Sequence, residues 1–499
     1  IRDASHIWGK DTWDTTDAIW DMLGRKYTVA SIGPAGENLV ATAAIVTNKY
    51  STFGRTGLGA VMGSKNLKAI AINGNHKIAI ANPEKFSSLV DSMTREIMSL
   101  PHIQDFRRLG TLWFVKPLAE SKIIGYRNFE RGMTLEEILE KFDPEKLDGI
   151  MERHGNIACM GCPVGCKHSF WVNEGPYAGL KIPVSCAEVW MVEFGCRGGV
   201  DSGGWSEILR CIELGNRMGL DASIGSSLIG VAIDLFQRGI INRSDTDGLE
   251  LDWRPEVAQD LLRKIAYREG FGDILADGPI EAGRRIGKGT SYYFLHHKGV
   301  PVPSLDTRLW PSTYMFSHVI SPSGRATHIN SMQVEGLSTS QMRTIINTMG
   351  LPEIALKRIL PDIGGYNMAV MTKWMEDYSF AMECLGLCLW DHTQRFGLDR
   401  WAEVYTAATG IEIEPSELLA AAARGFDMSR SFFIREGGTR KDDTMPERYL
   451  AEEQKVANEI CPPIDRDYMN KFISDYYIER GWDPIKGTVN PNRLSELLR

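Results

Sequence analysis

The sequence predicts an α+β fold in which a β-rich opening gives way to a long, mostly helical remainder. Two observations carry that reading. Up to residue 72, short runs of β-branched and small apolar residues are separated by Gly/Pro turns. From about residue 82, apolar residues recur at i, i+3 and i+4 and largely keep that spacing. At 499 residues, the chain exceeds what one hydrophobic core usually serves, so two or three domains are expected.

Asp11 opens a helix over 11–24, with Trp13, Ile19, Trp20, Met22 and Leu23 as its apolar stripe. Strands are expected at 27–32, 40–46 and 69–72, with Gly33-Pro34-Ala35-Gly36 turning the chain after the first. Pro83 stands at a helix start, where its missing N–H is no loss, and Phe86, Leu89, Val90 and Met93 supply the stripe behind it. Further helices are expected near 134–142, 205–218, 222–238, 254–268, 337–349, 352–359, 366–384, 399–408 and 416–424. The acidic, proline-bearing stretch 437–446 and the tail beyond Cys461 read as surface excursions. No internal repeat or low-complexity segment interrupts the pattern.

Composition excludes several classes. A hydrophobic fraction of 43% is ordinary for a soluble globular protein, and no run of eighteen apolar residues exists to insert in a membrane. A net charge of -8 without a basic block argues against a nucleic-acid partner. The 9 cysteines are an odd count, a loop triplet plus scattered single residues, which is not a secreted disulfide framework; a reducing cytoplasm fits. There is no signal peptide, and the residues after Ile1 read as mid-domain, so an N-terminal portion is expected to precede them.

The most informative stretch is Cys159-Met-Gly-Cys162-Pro-Val-Gly-Cys166. Gly161, Pro163 and Gly165 forbid a regular helix and force a tight loop able to turn several sulfurs toward one point. Converging thiolates select zinc or an iron–sulfur cluster. A structural zinc site usually pairs two knuckles, and the second pair is missing here; a disulfide cannot satisfy three thiols. The radical-generating iron–sulfur motif has its long and short gaps in the opposite order. A four-iron cluster needs a fourth thiolate from elsewhere, and Cys388, in Glu383-Cys-Leu-Gly-Leu-Cys388, is the preferred candidate.

A second stretch, Arg55-Thr-Gly57-Leu-Gly59-Ala-Val-Met-Gly63-Ser-Lys65-Asn-Leu-Lys68, has closely spaced glycines that let backbone N–H groups approach an anion, with Lys65 and Lys68 adding charge. It is not a P-loop, because its first gap is wrong and Ser64 precedes Lys65. Read alone, it is better explained as a tight β-turn without a ligand.

Taken together, these motifs resemble the aldehyde ferredoxin oxidoreductase family, including its branch of dearomatising aroyl-coenzyme A reductases. Gly59-Ala-Val-Met-Gly-Ser-Lys-Asn-Leu-Lys-Ala-Ile70 is similar to that family's most recognisable sequence, and the Cys159 loop to its cluster motif. Gly219-Leu-Asp221 resembles its first pterin-binding loop and Leu385-Gly-Leu-Cys388 its second. Gly270-Phe-Gly-Asp-Ile-Leu-Ala-Asp-Gly278 and Lys298-Gly…Asp306-Thr-Arg308 follow in the family's order, so the likeness spans nearly the whole chain.

The resemblance implies a tungsten (or molybdenum) bis-pterin, a 4Fe-4S cluster and Mg2+ bridging the pterin phosphates. It implies three domains: 1–82, the end of a β-rich cofactor domain; 83–292, helical, with the cluster loop; and 293–499, helical, with the fourth cysteine. Arg55, Thr56 and Gly57 fall where the family meets the phosphates, and Asp221, Lys298, Glu383 and Leu387 where it meets the pterins. Glu383 replaces a usual Asp, keeping the acceptor but changing its reach. Cys159, Cys162, Cys166 and Cys388 would ligate iron.

Glu188, in Glu188-Val-Trp190, and His328, in Gly324-Arg-Ala-Thr-His328, resemble the family's active-site acid and histidine. A carboxylate and an imidazole suit a reaction that removes protons along with electrons. Read alone, Glu188 is as well explained as an ordinary polar residue on a helix, and His328, one of 10 histidines, is better explained as structural. Cys186, two residues before Glu188, falls in the general region where the reductase branch has a tungsten-ligating thiolate; the other reading is a small buried apolar residue, the one given to Cys196, Cys211, Cys384 and Cys461.

Three functions follow from these readings. The first is oxidation of a small-molecule aldehyde to a carboxylate, with electrons passed to ferredoxin or an iron–sulfur electron-transfer subunit, in an oligomer or complex. The second is tungsten-dependent reduction of an aromatic acyl-coenzyme A. The third is a non-catalytic scaffold subunit of a redox assembly.

Overall fold

The structure, a computed structural model, describes residues 1–149, 151–183, 195–198, 203–325, 335, 337–361, 365–388 and 396–493. Helices dominate, about 52% of the chain, and the largest sheet has four strands, an α+β fold. By packing, the chain forms two compact units. The first comprises residues 1–75, 104–309 and 452–462, and the second 76–103, 310–451 and 463–499.

In the first unit, helix α1 (Thr12–Leu23) starts where Asp11 accepts the Asp14 N–H at 2.8 Å. Beside it lies an antiparallel sheet of β1 (Thr28–Ser31), β2 (Ile45–Thr47), β3 (Ser51–Phe53) and β4 (Ala69–Ile72), in the order β3-β2-β1-β4. Ile7, Ile19 and Val29 form the core between them, with Ala69 and Ala71 turned inward. The strand expected over 40–46 is shorter. Residues 40–44 leave the sheet because their backbone is bound elsewhere: the Ala41 N–H donates to the Ala276 carbonyl and the Ala44 N–H to the Gly219 carbonyl, each at 2.8 Å. Tertiary partners override β-propensity there.

The Trp205–Met218 helix ends in a left-handed Gly219 at φ 74°. A three-stranded sheet, Met151–Ile157, Lys167–Val172 and Lys181–Pro183, was not expected; its sequences mix charged, small and apolar residues without clean alternation.

The second unit is built on the Met368–Cys384, Pro415–Arg435 and Arg466–Arg480 helices. The stretch 437–446 and the tail are not mere surface excursions, which corrects the sequence reading. Asp443, Met445, Trp482 and Val489 are buried, and Met469, Phe472, Ile473, Tyr476, Tyr477 and Arg480 form the inward stripe of the third helix. Arg430 holds the two excursions together. Its guanidinium pairs with Asp443 at 2.8 Å, donates to the Tyr477 hydroxyl at 2.8 Å and reaches the Gly487 carbonyl at 2.9 Å.

Candidate functional site

The glycine-rich turn connects β3 to the Leu58–Ser64 helix. Arg55 (φ 66°) and Gly57 (φ 71°) are both left-handed, so the chain reverses sharply there. The Arg55 N–H donates to Asp221 Oδ2 at 3.0 Å, and the Asp221 N–H donates to the Thr42 carbonyl at 3.1 Å. Asp221 thus stitches the loop after the Trp205–Met218 helix to the turn, and a Cβ on Gly54 would overlap its carboxylate. Residues 55–57 and Asp221, far apart in sequence, are brought together. Among the described residues, the N–H groups of Thr56, Gly57 and Leu58 meet no acceptor, and Thr56 is exposed. Bare donors beside an arginine are what an anionic group requires.

Two parts of the sequence reading of this turn need correction. Gly59 and Gly63 serve close packing: added Cβ atoms would press on the Ala44 and Gly36 carbonyl oxygens, where the helix meets the 36–44 backbone. Lys68 adds no charge to the turn. Its ammonium is buried, donating to the Lys10 carbonyl at 2.7 Å and the Ile32 carbonyl at 2.8 Å and pairing with Glu37 at 2.5 Å. Burial pushes its pKa down, with Glu37 opposing.

The cysteine loop is the connection between strands Met151–Ile157 and Lys167–Val172. None of the three is joined in a disulfide; Cys159 is exposed, Cys162 half-buried and Cys166 buried. Gly161 (φ 73°) and Gly165 (φ 62°) are left-handed, as the turn reading required. Residues the sequence reading missed hold this loop. Arg107 donates to the Pro163 and Val164 carbonyls at 2.8 and 2.7 Å, and Asn156 donates to the Gly165 carbonyl at 2.9 Å and the Arg107 carbonyl at 2.7 Å. A His168 ring nitrogen lies 2.9 Å from the same Arg107 carbonyl. These bonds fix the loop's carbonyls, and Cys159 stands exposed at its start. Among the described residues, no three His, Cys, Asp or Glu side chains are gathered as a metal site would gather them.

Lys298 is left-handed (φ 50°) in the Lys298–Gly299 turn between two short strands, His296–His297 and Val300–Pro301. Beside it, His296 Nδ1 accepts the Gly299 N–H at 3.3 Å, and burial pushes that imidazole down to about 4, leaving it neutral at pH 7. In the second unit, the Met368–Cys384 helix ends in a turn where the Gly386 N–H meets the Glu383 carbonyl and the Leu387 N–H meets the Met382 carbonyl. Cys388 follows, half-buried. Glu383 keeps access to the surface, yet the protein packed around it pushes its carboxyl up, with Arg325 opposing. Cys384 is exposed and Cys461 half-exposed, against the buried reading, whereas Cys196 and Cys211 are buried as expected. Cys186, Glu188 and His328 lie outside the described residues.

The family models decide the kinship. Residues 1–74 match the model described as aldehyde ferredoxin oxidoreductase, N-terminal domain, and residues 88–498 the model for domains 2 & 3. The chain belongs to the aldehyde ferredoxin oxidoreductase family. It is therefore an oxidoreductase of that family. It is 30% identical to the tungsten-containing aldehyde ferredoxin oxidoreductase of Pyrococcus abyssi, over 100% of this chain and 78% of the relative. A second similar protein, over 60% of this chain and 50% of its own length, is the WOR-like subunit of an aliphatic sulfonate oxidoreductase of Pyrococcus furiosus, 31% identical. In fold, the chain is similar to the active-site complex BamBC of benzoyl coenzyme A reductase in complex with 1,5-dienoyl-CoA. The TM-score is 0.78 and the identity 23%, over 99% of this chain and 77% of that one. No helix among the described residues is long and apolar enough to cross a membrane.

Asp221 gives a direct test of the turn. Replacing it with alanine removes the acceptor of the Arg55 N–H, a charge-assisted bond contributing roughly 1.5–3 kcal/mol. Tungsten per chain, measured by elemental analysis after dialysis, is expected to fall steeply, with Asp221→Asn intermediate. Unchanged tungsten in both variants would detach this turn from the cofactor.

Proposed function

We propose that this chain is a tungsten-bispterin oxidoreductase of the cytoplasm that oxidises an aldehyde to a carboxylate and passes electrons through a four-iron cluster to ferredoxin or a partner subunit. The observation that carries this reading is the match of the whole chain to proteins named tungsten-containing aldehyde ferredoxin oxidoreductase. The donor set supports it: three thiols outside any disulfide in one carbonyl-pinned loop, and three bare N–H groups beside Arg55. When bound, the metal–pterin group supplies two-electron chemistry and the cluster a one-electron relay.

The chain's own residues divide the remaining work. Arg55, with the N–H groups of Thr56, Gly57 and Leu58, would hold the pterin phosphates. Asp221, Lys298, Glu383 and Leu387 orient the pterins. Cys159, Cys162, Cys166 and Cys388 hold the irons. Glu188 and His328 move the protons that leave with the electrons, one through a carboxylate and the other through an imidazole. Cys186 is kept as a tungsten ligand on the reductive reading alone. The family's division into 1–82, 83–292 and 293–499 accompanies this assignment.

Anaerobic assays test the reading. Aldehyde-dependent reduction of ferredoxin or a viologen dye is expected, in protein holding four irons and one tungsten per chain. Reduction of benzoyl-coenzyme A without aldehyde activity would replace the oxidative reading with the reductive one. Absence of both metals from anaerobically purified protein would leave a scaffold.

A further inference from the structure

The two stretches read from sequence as surface excursions meet to form a cleft of about 740 Å³, entirely within the second unit. Its size lies within the range of small-molecule sites, roughly 300–1,000 Å³. Met469, Ile485 and Ile434 give it an apolar lining, and Arg440, Lys441, Arg466 and Lys486 a cationic one.

The charge balance is uneven. Asp443, the one acid lining the cleft among the described residues, is already paired with Arg430 and the Tyr477 hydroxyl. Arg466 is paired with Glu447. Arg440 has only neutral partners: the Asn470 carbonyl at 3.1 Å, the Ser474 hydroxyl at 2.9 Å, the Pro484 carbonyl at 3.2 Å and the face of Tyr477. Its position is fixed and its charge uncompensated. The ammonium groups of Lys441 and Lys486 make no hydrogen bond or ion pair among the described residues; Asp483, which accepts the Lys486 N–H, feels the Lys486 charge only as a minor influence. Arg440, Lys441 and Lys486 therefore face one cleft without an ion pair among the described residues, in a chain of net charge -8.

Hydrogen bonds tie the walls together. Arg430 ties Asp443 to the Gly487 carbonyl, the Trp482 indole donates to Asp427 at 2.7 Å, and Asp483 accepts the N–H groups of Ile485 and Lys486 at 2.8 and 2.7 Å. A cleft so held loses little entropy when a ligand enters.

We propose that this cleft binds a small phosphate-bearing anion of nucleotide size, its phosphates on Arg440, Lys441 and Lys486 and its apolar body against Met469 and Ile485. Fixed arginine with flanking lysines suits multiply charged phosphate, and the cleft's volume suits a molecule of nucleotide size.

Calorimetric titration of the holoenzyme with ADP, and separately with inorganic pyrophosphate, tests the site. Saturable ADP binding that weakens with salt is expected, tighter than pyrophosphate because the apolar lining adds to it. Lys441→Glu/Lys486→Glu should weaken ADP at least tenfold, while aldehyde oxidation stays unchanged. Ile485→Trp, at an exposed position, should block the cleft without altering charge and serves if the double variant fails to fold. Absence of saturable binding of either probe, ADP binding indifferent to these variants, or binding of a polyglutamate peptide in place of ADP would each overturn the proposal.

Discussion

Cys162→Ser is expected to lose the four-iron cluster and to lower aldehyde-dependent ferredoxin reduction on the order of a hundredfold or more, because changes even one layer behind a metal ligand cost roughly 10- to 100-fold. Serine keeps the size of the side chain but replaces a soft thiolate with a poor iron ligand. The loop itself should survive, since Arg107 and Asn156 hold its carbonyls independently of the sulfurs. Loss of iron without loss of fold is therefore the expected signature, read by elemental analysis beside circular dichroism. Cys388→Ser tests the proposed fourth ligand and should likewise lose iron. Cys384→Ser, at an exposed thiol four residues away, should retain iron and activity. Arg107→Ala should fall between, loosening two carbonyls of the loop. Full iron content in Cys162→Ser, or equal iron loss in Cys384→Ser, would sink the cluster assignment.

Much of this was legible in the sequence, for identifiable reasons. The helices at 205–218 and 353–359 declare themselves because their apolar positions repeat at the helical period and their ends carry Gly219 or Pro352. The cysteine loop is legible because Gly161 and Gly165 occupy left-handed positions that few other residues tolerate. What stayed hidden depends on distant partners. Gly59 and Gly63 carry the same signal whether an anion or a neighbouring backbone approaches them, and only the 36–44 segment settles which. Lys68 reads as a surface cation until Glu37 and two carbonyls enclose it. The Arg466–Arg480 helix was missed because half its inward stripe is Tyr476, Tyr477 and Arg480, residues whose polar tips conceal a buried role. Arg107, Asn156 and His168 had no local signal at all. Their importance lies in a loop more than fifty residues away for Arg107, and in carbonyls rather than side chains.

Arg480→Ala should produce the largest loss of stability, and the loss should grow with pH. Arg480 is buried between two carboxylates of the Met368–Cys384 helix. It donates to Glu376 at 2.7 Å, pairs with Asp377 and donates to the Tyr476 hydroxyl at 2.7 Å, while Lys373 reaches Asp377 at 2.8 Å. Removing one member of a buried ion cluster typically costs about 3–5 kcal/mol, roughly 10 °C in melting temperature for a unit of this size. Burial pushes Glu376 up from the ordinary 4.5 to about 7, with Arg480 opposing. The folded chain thus binds that proton more tightly than the unfolded chain does. Its contribution to stability is greatest at low pH, declines as pH rises from about 4.5 to about 7, and is flat above. Without Arg480 the carboxyl rises further, so the variant escapes part of the penalty at pH 5.5 by staying protonated but meets it in full at pH 8. Calorimetric melting of both proteins across that interval gives the test. Glu376→Gln/Arg480→Met should recover much of the stability, because a well-packed neutral pair avoids burying either charge. A loss independent of pH, or no recovery in the double variant, would mean that Arg480 stabilises the unit through its packing over Phe426, 4.2 Å from the ring centre, and not through charge.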